Sequence, residues 1–228
     1  MPRQSVTIRG ETLDRSRIEQ LIGDEAMLVF EECDCSGADL SRLNLQETAF
    51  RNCALADTSF YAANLSRTRW QRCRAGHADF EAADLVDARF ESSDLNNTIW
   101  RRARLASAAF RSCKLTGAAF EDVSYLGLSF EDSLLIGADL RRMSFRKLTL
   151  VGLDFADADL SGCDFRDAVF AGGSLREAHI KDTRFDGADL READLGGLRL
   201  VNAKLFAGAT ISPRQAAEIV RAMGLNVG

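Results

Sequence analysis

Regularly spaced aspartates are the residues of this chain that could do chemistry. Two carboxylates can act as general acid and base when they share an enclosed pocket. Here most of them stand directly before a large apolar residue, repeatedly, which indicates a regular convex surface without such a pocket. A structural role is the alternative, because an aspartate can accept a hydrogen bond from a nearby turn. The C-terminal half carries most of the net negative charge, and its candidates for contacting a partner are Asp139, Asp154, Asp157, Asp159, Asp164, Asp167, Asp189 and Asp194.

The cysteines and histidines do not have the spacing of a metal site or of a nucleophile and its base. His77 and His179 are isolated, so we expect them to be solvated. The six cysteines follow the repeat described below, which predicts buried thiols stacked in a ladder, without disulfides or zinc. A phosphate-binding glycine loop is absent from the sequence. We therefore expect a protein that is not an enzyme and uses no cofactor.

The charge balance disfavours direct binding to nucleic acid. The formal net charge is −5, with 29 basic and 34 acidic residues. Arginines nevertheless cluster at Arg67, Arg69, Arg72 and Arg74, and again at Arg101, Arg102 and Arg104. No apolar run is long enough to span a membrane, and no leader begins the chain. We expect a cytoplasmic protein.

The element that positions these side chains is a repeat of five residues. Every fifth residue from Phe30 to Leu205 is apolar, and most of these residues are Leu or Phe. Small residues prevail two positions earlier, and glycine recurs two positions later, where a turn would need a positive φ. This period fits neither a helix nor a strand, and it predicts a solenoid with large and small residues alternating inside.

A longer period of twenty residues sets the number of sides. Aromatic residues recur at that spacing in Phe30, Phe50, Trp70 and Phe90, so each turn should have four sides with like residues stacked. We predict an all-β solenoid of about nine turns over residues 26–207. Residues 1–25 would form an N-terminal cap, either an imperfect first coil or a short helix over 12–22.

The sequence of the C-terminal segment, residues 212–228, predicts a helix followed by a short tail. Ser212 suits the N-cap position, Pro213 the first helical position and Gly224 the position after the end. This helix could cap the last turn, form a two-fold dimer contact, or do both. The residues expected at the dimer interface are Pro213, Ala216, Ile219, Val220, Met223, Leu225 and Val227.

The repeat resembles the pentapeptide-repeat family, whose motif is roughly A-(D/N)-L-x-x. Matching triplets include Ala38-Asp39-Leu40, Ala63-Asn64-Leu65, Ala83-Asp84-Leu85, Ala138-Asp139-Leu140, Ala158-Asp159-Leu160, Ala188-Asp189-Leu190 and Ala193-Asp194-Leu195. The resemblance implies a right-handed quadrilateral β-helix.

Two stretches outside the motif resemble the Qnr-type quinolone-resistance proteins and related topoisomerase-protecting proteins. They are Gly10 to Ile18 with Phe30 to Leu40, and Ala216 to Leu225. This resemblance implies a homodimer that binds DNA gyrase, with topoisomerase IV as a further partner, by imitating DNA with an acidic surface. It would inhibit the enzyme or protect it from quinolones or toxins. The alternative is a non-catalytic scaffold or adaptor for another protein. The repeat is uninterrupted, as in the loop-free members.

Overall fold

The computed structural model describes residues 5–22, 27–197, 203–222 and 224–227. The chain forms two compact units, which are unit 1 with residues 1–139 and unit 2 with residues 140–228. Each unit is a parallel β-solenoid, and between them they make about eight turns, with a C-terminal helix in unit 2. The ninth turn expected from the sequence would include residues 198–202, which lie outside the described residues.

Short strands recur every twenty residues along one side of the solenoid. Neighbouring strands within a unit pair in parallel, as Phe30 with Phe50 in unit 1 and Leu150 with Phe170 in unit 2. The strands of unit 1 are β1 (Ser5–Arg9), β2 (Met27–Glu31), β3 (Ala49–Arg51), β4 (Arg69–Gln71), β5 (Arg89–Glu91), β6 (Ala109–Arg111) and β7 (Ser129–Glu131). Those of unit 2 are β8 (Thr149–Val151) and β9 (Val169–Ala171).

Each turn has four sides, named here in chain order. The strand side is centred on residues such as Phe30, and the second, third and fourth sides on residues such as Cys35, Leu40 and Leu45. Backbone hydrogen bonds join successive turns on every side. On the third side, the N–H of Phe60 donates to the carbonyl of Asp79 at 2.7 Å, and the N–H of Asp79 donates to Thr58 at 3.0 Å. Stacking therefore satisfies the backbone polar groups of non-terminal turns.

The corners between sides confirm that the recurring glycines lie in turns with a positive φ, and they show the same conformation at other residues. The residue two after most inward large residues has a positive φ, as in Gly37 (69°) and Gly137 (62°). Many corners hold another residue in this conformation, including the partner candidates Asp157 (57°) and Asp167 (58°). Aspartate and asparagine tolerate this region better than most side chains, which is a structural reason for their presence there.

The core is a set of stacked columns, as the twenty-residue period predicts. In unit 1 the rings of Phe60, Phe80, Trp100 and Phe120 stack at centroid distances of 5.1, 4.2 and 5.7 Å. The indole N–H of Trp100 donates to Thr98 Oγ1 at 2.8 Å, so its buried polar atom is satisfied. All six cysteines are buried, as predicted. Among the described residues, no group of His, Cys, Asp or Glu could hold a metal ion.

The N-terminal segment contains both a strand and a helix. Strand β1 pairs with β2 in parallel, with Ile8 beside Phe30, and so begins the solenoid. Helix α1 (Arg15–Ile22) follows, and Asp14 caps it by accepting the N–H of Arg17 at 2.8 Å. Ile18 is fully buried, which anchors the helix to the first turn. Within the described residues, no helix has the length and apolar character needed to cross a membrane.

The last turn differs from the sequence prediction by one residue. The repeat places Leu205 inward, but the ring of Phe206 is the one that stacks on Phe185, at 4.8 Å. A 3-10 helix, Ala203–Phe206, takes up the extra residue. The backbone still pairs with the preceding turn, because the N–H of Phe185 donates to the carbonyl of Leu205, within this helix, and the N–H of Leu190 donates to the carbonyl of Thr210 beyond it.

Helix α2 (Pro213–Ala222) closes the solenoid through a side chain that the sequence analysis did not single out. Gln215 is 2% exposed, and its amide group donates to the carbonyls of Leu190 and Ala193, both at 2.7 Å. Its Oε1 accepts the backbone N–H of Ser212 at 2.6 Å, and Ser212 Oγ accepts the N–H of Gln215 at 3.3 Å. This is a capping box, and the Ser-x-x-Gln spacing was the signal for it.

We predict that Gln215→Ala lowers the free energy of unfolding by about 2 kcal/mol, because it leaves two carbonyls without their donor and removes half of the capping box. Chemical denaturation of the purified variant measures this. Gln20→Ala, at an exposed position of helix α1, is the control, and it should change the unfolding free energy by less than about 0.5 kcal/mol. An equally small effect at position 215 would show that this cap does not stabilise the last turn.

Candidate functional site: the acidic side of unit 2

The eight candidate aspartates do not lie on one side of the solenoid. Asp139 belongs to unit 1, and the seven others are spread over all four sides of unit 2. Asp159 pairs with His179 on the third side, Asp164 with Arg184 on the fourth and Asp189 with Val169 on the strand side. The second side holds Asp154, Asp157 and Asp194. A single continuous strip through all of these candidates is therefore absent from unit 2.

Most of the aspartates that precede a large residue also bond the backbone, as the structural alternative predicts. In Asp154, Asp159, Asp164, Asp189 and Asp194, Oδ1 accepts the N–H of the residue two positions later, at 2.9–3.2 Å. These are Asx turns, which hold each corner of the solenoid in shape. One carboxylate oxygen of each aspartate is thus used locally, and the second remains available for another contact.

Arginines occupy that second oxygen in several candidates. Arg166 binds Asp164 with two hydrogen bonds, at 2.8 and 2.6 Å, and Arg191 binds Asp189 at 2.9 and 2.6 Å. Arg176 contacts Asp194 at 3.0 Å. Two looser pairs join Arg141 to Asp159 at 3.8 Å and Arg146 to Asp167 at 3.7 Å. A carboxylate with a guanidinium at contact distance presents little net charge to a partner.

The second side of unit 2 is the exception. Within the part of the chain that the structure describes, no cation lies within ion-pair distance of Asp154, Asp157 or Glu177. Asp157 and Glu177 are exposed corner residues on successive turns, with φ values of 57° and 52°. Asp154, Ser174 and Asp194 form one row across three turns. We call Asp154, Asp157 and Glu177 the acidic side, because Asp194 in the same row is paired with Arg176. Glu177 was missing from the sequence prediction, which considered aspartates alone.

The arginine contacts have an electrostatic consequence for stability. The side-chain hydrogen bonds of Arg166 lower the pKa of Asp164, and those of Arg191 lower the pKa of Asp189. For Asp194 the backbone N–H of Gly196 is the main cause of the lowered pKa, and Arg176 adds to it. The folded state therefore binds these protons less tightly than the unfolded chain does.

We predict that stability falls in acid. A carboxylate with a lowered folded pKa contributes stability above its unfolded pKa of about 4, and loses it as the pH falls through the folded value. Urea denaturation midpoints should therefore drop between neutral pH and about pH 3. The double variant Asp164→Asn/Asp189→Asn should show a smaller drop than the native protein. An identical pH profile for the two proteins would contradict the assignment.

The residues predicted at a dimer interface lie around helix α2. Pro213 is exposed, Ala216, Ile219 and Val220 are half-buried, and Leu225 is 58% exposed. Val227 is half-buried, and Met223 lies outside the residues whose side chains are described. Gly224 ends the helix with a φ of 85°, and its N–H donates to Arg221 at 2.9 Å, as predicted. An apolar face beside the cap thus remains partly accessible to solvent.

Comparison with known families establishes the class of protein. The family pattern described as "Pentapeptide repeat region" matches residues 27–100 and 43–120, and "Pentapeptide repeats (8 copies)" matches residues 127–162, 150–187 and 174–205. The chain belongs to the pentapeptide-repeat proteins, and it resembles the Qnr type. No curated protein sequence matches the chain.

Solved structures with the same fold come from proteins with different roles. HetL, a pentapeptide-repeat protein involved in heterocyst differentiation regulation in the cyanobacterium Nostoc sp. strain PCC 7120, has a TM-score of 0.64 at 18% identity, covering 86% of this chain and 94% of its own. Trypsin-treated QnrB1, a plasmid-mediated fluoroquinolone resistance protein, has a TM-score of 0.52 at 20% identity, covering 99% of this chain and 98% of its own. At this identity the likeness establishes the fold alone.

Proposed function

We propose that this protein is a non-catalytic partner of DNA gyrase, and of topoisomerase IV by the same chemistry, which it engages through the acidic side of unit 2. The observation that carries the proposal is the set of three carboxylates, in Asp154, Asp157 and Glu177, without a cation at ion-pair distance among the described residues. Elsewhere in unit 2 most candidate aspartates have an arginine partner. Selective exposure of negative charge on one side favours a partner with a basic surface.

The geometry of this side suits a surface that binds DNA. Turns of a parallel solenoid are spaced by about 4.8 Å, and successive phosphates of one DNA strand by about 3.4 Å along the axis, so both surfaces repeat negative charge at intervals of a few ångströms. A basic DNA-binding channel recognises phosphates largely by charge and position. The three carboxylates of the acidic side, on two successive turns, could occupy part of such a channel.

Two further features support gyrase over an unrelated basic partner. The chain spans almost the full length of QnrB1 with the same fold, and QnrB1 is a fluoroquinolone resistance protein. The segments before and after the repeat also resemble the Qnr-type proteins, although the repeat does not dictate their sequence. We extend the proposal to a homodimer through Ala216, Ile219 and Val220 of helix α2 with the tail residues Leu225 and Val227.

A scaffold or adaptor for another protein is the second candidate. It is favoured by the surface of unit 1, where ion pairs neutralise several carboxylates. Glu81 accepts hydrogen bonds from both Arg101 and Arg102, and Arg104 contacts Asp84 at 2.8 Å. Leu126, on the fourth side of unit 1, is 86% exposed. Charge-neutral surfaces with isolated apolar residues are ordinary protein-binding surfaces and do not imitate DNA.

Gyrase supercoiling with the purified protein tests the proposal, with and without a fluoroquinolone. We expect inhibition of supercoiling, or fewer drug-induced DNA breaks, at protein concentrations on the order of 1 µM. The test also separates the two outcomes that the sequence left open, inhibition and protection. No effect on supercoiling or on cleavage at about 50 µM protein would reject the gyrase proposal and favour the scaffold.

A further inference from the structure

A groove lies on the strand side of unit 1, over strands β2, β3 and β4 near its N-terminal end. It has a volume of about 350 Å³ and is lined by Met27, Val29, Glu47, Ala49, Arg51, Arg67, Arg69 and Gln71. These residues form three parallel rows on β2, β3 and β4 and on the corner before each strand. The groove is thus part of the repeat and forms where small side chains interrupt rows of long ones.

Two small apolar residues make the floor. Val29 and Ala49 are partners in the pairing of β2 with β3, and they are only 5% and 7% exposed although they point outward from the core. Longer side chains on both flanks cover them. Met27 adds an exposed apolar wall at one end, and Arg69 follows Ala49 in the same row and closes the other end.

The walls carry an excess of positive charge. Arg67 is paired with Glu47 at 2.7 Å, and the side chain of Gln71 donates to Glu91 at 3.3 Å. Glu31, which pairs with Arg51 in the strand register, is engaged by Arg9 at 2.7 Å. Among the described residues, no carboxylate lies within ion-pair distance of Arg51 or Arg69. Both guanidinium groups are exposed at the groove and retain their hydrogen-bond donors.

We propose that this groove binds an acidic, partly apolar peptide segment of another protein. A Glu or Asp side chain of the segment would accept hydrogen bonds from Arg51 and Arg69, and an adjoining aliphatic side chain would pack against the exposed Met27 above the floor. Arginine is suited to this role because its planar guanidinium binds a carboxylate with two hydrogen bonds. The volume suits a few side chains and is at the small end of ligand pockets.

This inference is independent of the gyrase proposal. The groove lies in unit 1 and carries positive charge, whereas the acidic side lies in unit 2 and carries negative charge. A partner held at the groove would be recognised by its carboxylates, and a partner at the acidic side by its basic groups. The two proposals can therefore fail separately.

Fluorescence polarisation with a labelled peptide of alternating glutamate and leucine, blocked at both ends, tests the groove in the full-length protein. We expect saturable binding at concentrations below about 1 mM, and weaker binding for the same peptide with glutamine in place of glutamate. Arg51→Gln/Arg69→Gln should weaken binding at least about tenfold, since two charge-assisted contacts are lost. Ala49→Leu, which fills the floor, should also weaken it.

The matched control is Arg104→Gln/Arg111→Gln, which removes two exposed arginines of unit 1 that are paired with Asp84 and Glu131. This control should bind the peptide within about twofold of the native protein. Three results would overturn the proposal: no binding of the glutamate peptide at about 1 mM, equal binding of the glutamine peptide, or equal losses in the two double variants. Displacement of the peptide by a lower concentration of single-stranded oligonucleotide would also overturn it in favour of a nucleic-acid site.

Discussion

Neutralising the acidic side with Asp154→Asn/Asp157→Asn/Glu177→Gln is expected to raise the concentration needed to inhibit gyrase at least about tenfold. Each change keeps the shape of the side chain and removes its charge. Asparagine at position 154 can still accept the N–H of Ala156, which Asp154 accepts at 3.0 Å. Asparagine also tolerates the positive φ of 57° at position 157, so the corner should keep its conformation. The loss therefore reports on charge.

A control of equal charge is available within the same unit. Asp164→Asn/Asp167→Asn/Asp189→Asn also removes three carboxylates, but each of these has an arginine within 3.7 Å in the native protein. This variant should inhibit gyrase within about threefold of the native protein. Equal losses in both variants would mean that total charge matters and the acidic side does not. If only the control lost inhibition, gyrase would instead bind the arginine-paired aspartates, which were also candidates from the sequence.

Trp100→Ala is expected to lower the free energy of unfolding by about 4 kcal/mol, the largest effect on stability that we predict. The indole is fully buried between Phe80, at a ring distance of 4.2 Å, and Phe120, at 5.7 Å. Removing it leaves a cavity in a column where each turn supports the next. The hydroxyl of Thr98 would also lose the indole N–H that it accepts at 2.8 Å.

Guanidinium denaturation, followed by circular dichroism, measures this effect. Ile99→Ala is the control, because Ile99 is the adjacent residue on the same side, points outward and is 42% exposed. It should change the unfolding free energy by less than about 1 kcal/mol. If the two variants were equally stable, the stacked aromatic column would not be what holds this region of the solenoid together.

The fold could be predicted from the sequence because one constraint repeats. Each inward large residue must stack on the same position of the next turn, so a change of register at any turn would bury polar residues. The ends do not share this constraint. At the last turn, Phe206 replaces Leu205 beneath Phe185, since nothing beyond it requires the five-residue register. Gln215 was missed for a similar reason, because its role depends on carbonyls of Leu190 and Ala193 that only the folded end exposes.

The candidate site was harder to predict, because net charge per segment does not say which carboxylates are paired. Several arginines contact a residue exactly one turn away, as Arg104 does with Asp84 and Arg111 with Glu131. A spacing of twenty residues could have revealed these pairs. Those of Asp164 with Arg166 and Asp189 with Arg191 lie two residues apart and depend on the Asx-turn geometry. The acidic side emerged only when the paired carboxylates were set aside.

Direct binding of the native protein to immobilised gyrase, with duplex DNA as competitor, tests the central claim most directly. We predict saturable binding that weakens steeply as salt rises from about 50 to 200 mM, and that duplex DNA displaces the protein because both occupy the same basic surface. Binding that is unaffected by saturating DNA, or an absence of binding at low salt, would contradict the account.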